Sequence, residues 1–219
     1  MSDVFFDKDT HTYLVDGEEV PSVTEILKPL TSRGYAEVNP VVLETAAARG
    51  TAVHEACEAI DYGLEADVYP EIEGYVAAYE DWLSVYRPEW EGIEQIVVNE
   101  GYAGTADRIG RLNGSDNLCV LDLKTSSPTK EALVAVCLQT YAYAYAIRQE
   151  MYPEDDEGYE NMVIDRYALF LMKDGKYRFV NCEEYEKKYD VNLGLFLDML
   201  DLHEAITKVL KTKARKKSE

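Results

Sequence analysis

Ile72, Tyr75, Val76, Tyr79, Trp82 and Leu83 fall on one stripe at helical spacing, which predicts a helix from about Pro70 to Tyr86 packed through that stripe. Residues from about Gly104 to Leu112 (GTADRIGRL) and from Leu118 to Lys124 (LCVLDLK) read instead as strands, separated by the turn formers Asn113-Gly114-Ser115-Asp116-Asn117. Ile93 to Glu100 enters the same sheet. Val163 to Met172 and Tyr177 to Asn181 make a second hairpin over Lys173-Asp174-Gly175-Lys176. Val4 to Val20 reads as a hairpin turning at Asp16-Gly17. Ser22-x-x-Glu25 is a capping box that opens a short helix stopping by Pro29. Asn39-Pro40 starts another helix, asparagine at the cap and proline in the first turn. Gly50 is expected to end that alanine-rich helix and Thr51 to cap the next, which runs to about Tyr62. A helix from Lys130 to about Met151 and a long one from about Glu183 complete the pattern. The chain is expected to form one α/β domain, with a core at about 40–181. Flanking it are an amino-terminal hairpin and helix (1–39), a carboxyl-terminal helix (183–210) and a basic tail (211–219).

Folding the Gly104–Lys124 hairpin about Gly114 or Ser115 places Asp107 roughly opposite Asp122. Opposed strand residues have Cβ atoms about 4.5–5.5 Å apart, and like charges there repel. A dehydrated carboxylate pair is a poor choice there unless a cation lies between its members. Strand side chains alternate, so Asp122 and Lys124 share a face while Leu123 points into the core and leaves its carbonyl near the acids. Two carboxylates, a carbonyl and water suit magnesium, which takes an octahedron of oxygens at about 2.0–2.1 Å. Lys124 has two readings: an ion pair that neutralises its acidic neighbours, or an ammonium that positions an activated water and stabilises charge on a phosphate.

Two further segments complete a constellation. His54 and Glu58, four apart, share a face of the helix that follows Gly50, and Gln139 and Tyr143, again four apart, share a face of the helix from Lys130. Gly50 with His54, Gly104 with Asp107, Asp122 with Lys124, and Gln139 with Tyr143 stand in order along the chain. In this the sequence closely resembles the PD-(D/E)XK nucleases, specifically the RecB-type and phage exonuclease branch, over roughly residues 5 to 180. The run from His11-Thr12-Tyr13 through Pro21-Ser22-Val23-Thr24 also looks like the opening segment of phage members.

The resemblance implies a restriction-endonuclease-like core, a mixed central sheet flanked by helices. It implies that His54, Asp107, Asp122 and the Leu123 carbonyl bind the metal and that Lys124 is the catalytic lysine. Gln139 and Tyr143 would lie beside the site, holding Lys124 or the DNA backbone. Glu58 would serve as a contact to the ligands or to a second ion, or else simply face solvent. The implied reaction is phosphodiester hydrolysis with Mg²⁺ or Mn²⁺, one ion or two, an imidazole ligand tilting the choice toward Mn²⁺. The expected protein is an exonuclease of linear DNA in phage recombination or end processing, working beside a single-strand annealing protein. An endonuclease or nickase on the same core is the nearest alternative. Homo-oligomers also occur among such relatives.

Composition adds three qualifications. The four cysteines (Cys57, Cys119, Cys137, Cys182) are scattered, so they are expected to be buried thiols, with no iron–sulfur cluster. No apolar run approaches the 18 or so residues of a membrane span and no leader is evident, so a cytoplasmic protein is expected. The net charge of −20 is unusual for a nucleic-acid binder. Acidic runs such as Glu154-Asp155-Asp156-Glu157 read as solvated loop, while Lys208, Lys211, Lys213, Arg215, Lys216 and Lys217 gather basic charge at the end. The charge motivates a reading from another class, a non-catalytic acidic mimic of DNA. RNA is a minor third possibility as substrate, since no RNA-binding module is visible.

Overall fold

The computed structural model describes residues 3–7, 10–32, 38–152, 162–191 and 193–215. Its centre is a five-stranded mixed sheet of β4 (Glu89–Asn99), β5 (Tyr102–Arg111), β6 (Leu118–Lys124), β7 (Ile164–Leu171) and β8 (Tyr177–Asn181), in that spatial order. Only the β6–β7 pair is parallel. That crossover is made by α5 (Lys130–Met151), as a parallel connection requires. Strand β4 begins at Glu89, earlier than the expected Ile93, with a bulge between Trp90 and Gly92.

Pleat alternation divides the core in two. Leu118 and Val120 of β6 and Ala168 and Phe170 of β7 join one cluster with α5; Leu121, Leu123, Leu169 and Leu171 face the other. The second cluster is closed by α3 (Pro40–Asp61) and α4 (Glu73–Tyr86). The predicted α4 stripe is the buried one, with Ile72, Tyr75, Val76, Tyr79 and Trp82 all enclosed. Trp82 is wholly buried, its ring 5.2–6.1 Å from those of Tyr79, Tyr86, Trp90 and Phe179.

The amino-terminal segment corrects an expectation. It folds twice, as β1 (Val4–Asp7), β2 (Thr12–Val15) and β3 (Glu18–Val20), rather than as one hairpin, because the chain also reverses between Asp7 and Thr12. The turn at Asp16-Gly17 is as expected, with φ of 51° and 82°, the double positive φ of a type I′ hairpin. This small sheet is tied to the large one. Ser22 bridges Ala103, and the Tyr13 hydroxyl lies 2.8 Å from that of Thr105. Ser22 caps α1 (Val23–Ile26), accepting from the Glu25 N–H, and α2 (Lys28–Thr31) follows with Pro29 in its first turn.

Asn39 caps α3 as expected, accepting from the Val41 N–H. The break at Gly50 does not occur. Helix α3 runs through it, and Thr51 is no cap: its hydroxyl donates to the Ala47 carbonyl a turn earlier. A glycine inside a helix costs only about 0.5–1 kcal/mol, too little to break a helix that Val53, Ala56 and Cys57 anchor to the core. The expected long terminal helix is instead two, α6 (Cys182–Tyr189) and α7 (Leu193–Arg215), because Asp190 takes a left-handed conformation (φ 53°) that ends the first. All four cysteines are buried free thiols. Among the described residues no helix is long and apolar enough to cross a membrane. Glu154-Asp155-Asp156-Glu157, Lys216, Lys217 and the side chains of Lys211, Lys213 and Arg215 lie outside the described residues.

The aromatic cluster yields a stability test. Trp82→Ala is expected to cost about 3–5 kcal/mol in urea unfolding. Trp82→Phe should cost less than half of that, because the indole N–H has no hydrogen-bond acceptor to lose.

Candidate metal centre

Strand register assembles the site. Arg108 pairs with Leu121, so one step further along the same ladder sets Asp107 opposite Asp122, the alignment expected from the hairpin. On the other side, Ile93 pairs with Arg108 and Gln95 with Ala106, which sets Glu94 opposite Asp107. Three acids therefore stand in a row across β4, β5 and β6. Glu94 holds a φ of 47° inside a strand, a left-handed conformation that costs of order 1–3 kcal/mol and clusters at functional sites.

His54 reaches this row from α3. Its Nδ1 lies 3.7 Å from Glu94 Oε1 and 3.8 Å from Asp107 Oδ2, while Nε2 stands 3.2 Å from the Leu123 carbonyl oxygen. One ligand atom from each of His54, Glu94 and Asp107 lies within 4.8 Å of the others. With metal–oxygen and metal–nitrogen bonds of about 2.0–2.2 Å, donors across one ion are separated by up to about 4.4 Å. The set fits a divalent cation with little movement. His54 is 28 % exposed at its side chain. Burial works against its charge, yet the Asp107 carboxylate and then Glu94 overcome this and raise its pKa to about 9. The imidazolium thus adds its positive charge to those of Lys124 and Arg108 among the acids.

Asp107 is almost enclosed, and its Oδ2 accepts the Leu123 N–H at 2.6 Å. Burial pushes its pKa up to about 6, with His54 pulling down and Asp122 pushing up. Burial also pushes Glu94 up, but His54 and then Arg108 hold it below its ordinary value. Asp122 is 1 % exposed, and neither of its carboxylate oxygens accepts a hydrogen bond. Lys124 Nζ makes an ion pair with its Oδ2 at 2.5 Å. Oδ1 has no partner, so the demand of this carboxylate is only partly met. An enclosed carboxylate so placed is a further mark of a cation site.

The predicted pair on α5 holds the lysine. Lys124 Nζ donates to Gln139 Oε1 (3.1 Å), and Gln139 Nε2 donates to the Tyr143 hydroxyl (3.0 Å). Lys124 can only donate, so it fixes which end of the amide faces it, and the Tyr143 hydroxyl accepts from the other end. Gly104 is what admits Tyr143, since a Cβ at 104 would lie 2.5 Å from its ring. At Gly50 the contact is ordinary, 3.5 Å to the Thr125 hydroxyl. Glu58 is half-buried one turn beyond His54 and lies outside the His54–Glu94–Asp107 group.

Three residues of the site escaped the sequence reading: Glu94, Arg108 and Asp61. Arg108 is fully buried, with Nε 2.5 Å from Asp61 Oδ2 and Nη1 3.2 Å from Glu94 Oε1. Asp61 in turn accepts from the Tyr79 hydroxyl and the Trp90 indole. Glu94 had a readable signal. A two-residue turn at Glu100-Gly101, the turn observed between Asn99 and Tyr102, leads back by register to Glu94 opposite Asp107. Arg108 and Asp61 had none, being ordinary charges in a charged chain.

No protein-family model matches this chain, and none of the curated proteins does.

The shifts at His54 and Asp107 share a sign. Each group binds its proton more tightly in the folded chain than in the unfolded one. Stability from His54 is full below pH 6.5 and lost as pH rises through about 9. In chelator, stability is therefore expected to fall between pH 6.5 and 9. Urea titrations across that range should show a flatter profile for His54→Gln.

Proposed function

We propose that this chain is a divalent-metal-dependent deoxyribonuclease with a core of the PD-(D/E)XK kind, an exonuclease of linear DNA in phage recombination or end processing. The observation that carries this reading is the alignment of Glu94, Asp107 and Asp122 on adjacent strands, with Lys124 held to the last of them by Gln139. A purely structural ion-pair network has no need of an acid left without hydrogen bonds, nor of a lysine oriented by an amide that is itself oriented by a buried tyrosine.

In this reading His54, Glu94 and Asp107 hold Mg²⁺ or Mn²⁺, with Asp122 and the Leu123 carbonyl at its edge. A divalent ion there supplies Lewis-acid polarisation of the scissile phosphate and a lowered pKa for the attacking water. The Lys124 ammonium, positioned by Gln139 and Asp122, orients that water and stabilises the charge that develops on the phosphate. Held between Asp122 and Gln139, Lys124 has positioning as its role rather than proton removal. Arg108, anchored by Asp61, holds Glu94 at the site. The compartment in this reading is the host cytoplasm, and the partner is a single-strand annealing protein.

The net charge of −20 favours one second reading, the acidic decoy. Weighing against it, Asp107 and Asp122 are buried, whereas a mimic presents its carboxylates on the surface.

The test is digestion of end-labelled linear and closed circular duplex with Mg²⁺ or Mn²⁺. Loss of linear DNA alone is expected, reduced about 10²–10³-fold by Lys124→Ala, the usual effect of removing one charge-stabilising donor. Calorimetry should still record metal binding by that variant and lose it in Asp107→Asn. Cutting of the circle would make the protein an endonuclease. A folded chain that binds no metal and cuts neither substrate would leave the decoy.

A further inference from the structure

Helix α7 has two apolar faces, and the body covers one of them. Phe196 and Leu200 are buried against the body, Phe196 with its ring 5.0 Å from that of Tyr102, and His203 Nε2 lies 3.9 Å from Glu25. Roughly a third of a turn away run Leu195, Leu202, Ile206 and Val209, within an arc of about 60° at ~100° per residue. These four and Leu210 are 41–59 % exposed. With half-buried Met199 they repeat at alternating steps of four and three, 195-199-202-206-209, which is the seam of a coiled coil. From Ala205 to Leu210 every residue but Thr207 is exposed, so this stretch of the helix has little contact with the body. A helix of this length in water draws its stability from packing, not from propensity.

Charge says what covers the seam. The first half of α7 carries Asp198, Asp201 and Glu204; the second half carries Lys208, and the sequence continues with Lys211, Lys213 and Arg215. Residues 208–219 contain six basic residues and one acidic, so a chain of net −20 has a body at −25 and an end at +5. A second copy laid antiparallel sets the basic half of each helix along the acidic half, and the acidic body, of the other. A parallel copy sets like beside like.

We propose that α7 pairs with α7 of a second copy, antiparallel about a two-fold axis at Leu202. Leu195 then meets Val209 of the partner subunit, and Met199 meets Ile206 of the partner subunit. The contact is isologous and closes at two copies. It is independent of the chemistry proposed for the metal centre.

Sedimentation equilibrium of the full chain is expected to give a dimer that weakens with salt. Ile206→Glu and Val209→Glu, both exposed and clear of the body, are expected to raise the dimer dissociation constant at least about tenfold with an unchanged circular dichroism spectrum. Leu202→Cys should self-link on oxidation, because it lies on the axis. Leu195→Cys should not, its symmetry mate being about 20 Å away. The four native thiols are buried and give little background. A monomeric wild type, a dimer that survives both glutamates, or a self-linked Leu195→Cys would overturn the proposal.

Discussion

Three carboxylates side by side on neighbouring strands, two of them enclosed, repel one another, and a protein can hold them there only by supplying positive charge from several directions. Here the charge comes from His54 on α3, Lys124 at the end of β6, and Arg108 on β5. Each cation is then fixed by something else: Arg108 by Asp61, Lys124 by Gln139, His54 by the Leu123 carbonyl. Helices α3 and α5 and the aromatic cluster around Trp82 thus have a common task. They bring the countercharges to the three acids and keep them there.

The compensation is incomplete, and unevenly so. Asp107 is satisfied by a backbone N–H, whereas Asp122 receives an ion pair without a hydrogen bond, and Glu94 sits in a backbone conformation that a strand residue ordinarily avoids. Strain and unmet charge accumulate at one point of an otherwise well-packed sheet. That concentration is the physical reason for reading the cluster as a site rather than as structural salt bridges.

Much of the fold was legible because its signals are local. The limits of β6 and α5, the caps at Ser22 and Asn39, and the Asp16-Gly17 turn follow from turn chemistry and periodicity. The register of Asp107 against Asp122 followed from symmetry about the Gly114–Ser115 loop. The errors came where a local signal was outweighed. Gly50 resembles a helix stop, but a helix anchored just beyond it by Val53, Ala56 and Cys57 tolerates it; Asp190 carries no mark of a break, yet makes one. Glu94 was missed because its place depends on a hairpin turn at Glu100-Gly101 that was not used to set a register. Arg108 and Asp61 became visible only once β5 and the end of α3 were set side by side.

Tyr143 fills the space that Gly104 leaves, and it also orients the amide that holds Lys124. Those two jobs tie positions 104 and 143 into one unit of descent. A side chain gained at 104 demands a smaller residue at 143, and a smaller residue at 143 releases Gln139. Neither change is passable alone without disturbing the lysine, so a lineage can cross only by altering both positions, and then must find another way to hold the ammonium. The pair is a barrier to drift set into the sheet, several residues away from any acid it protects.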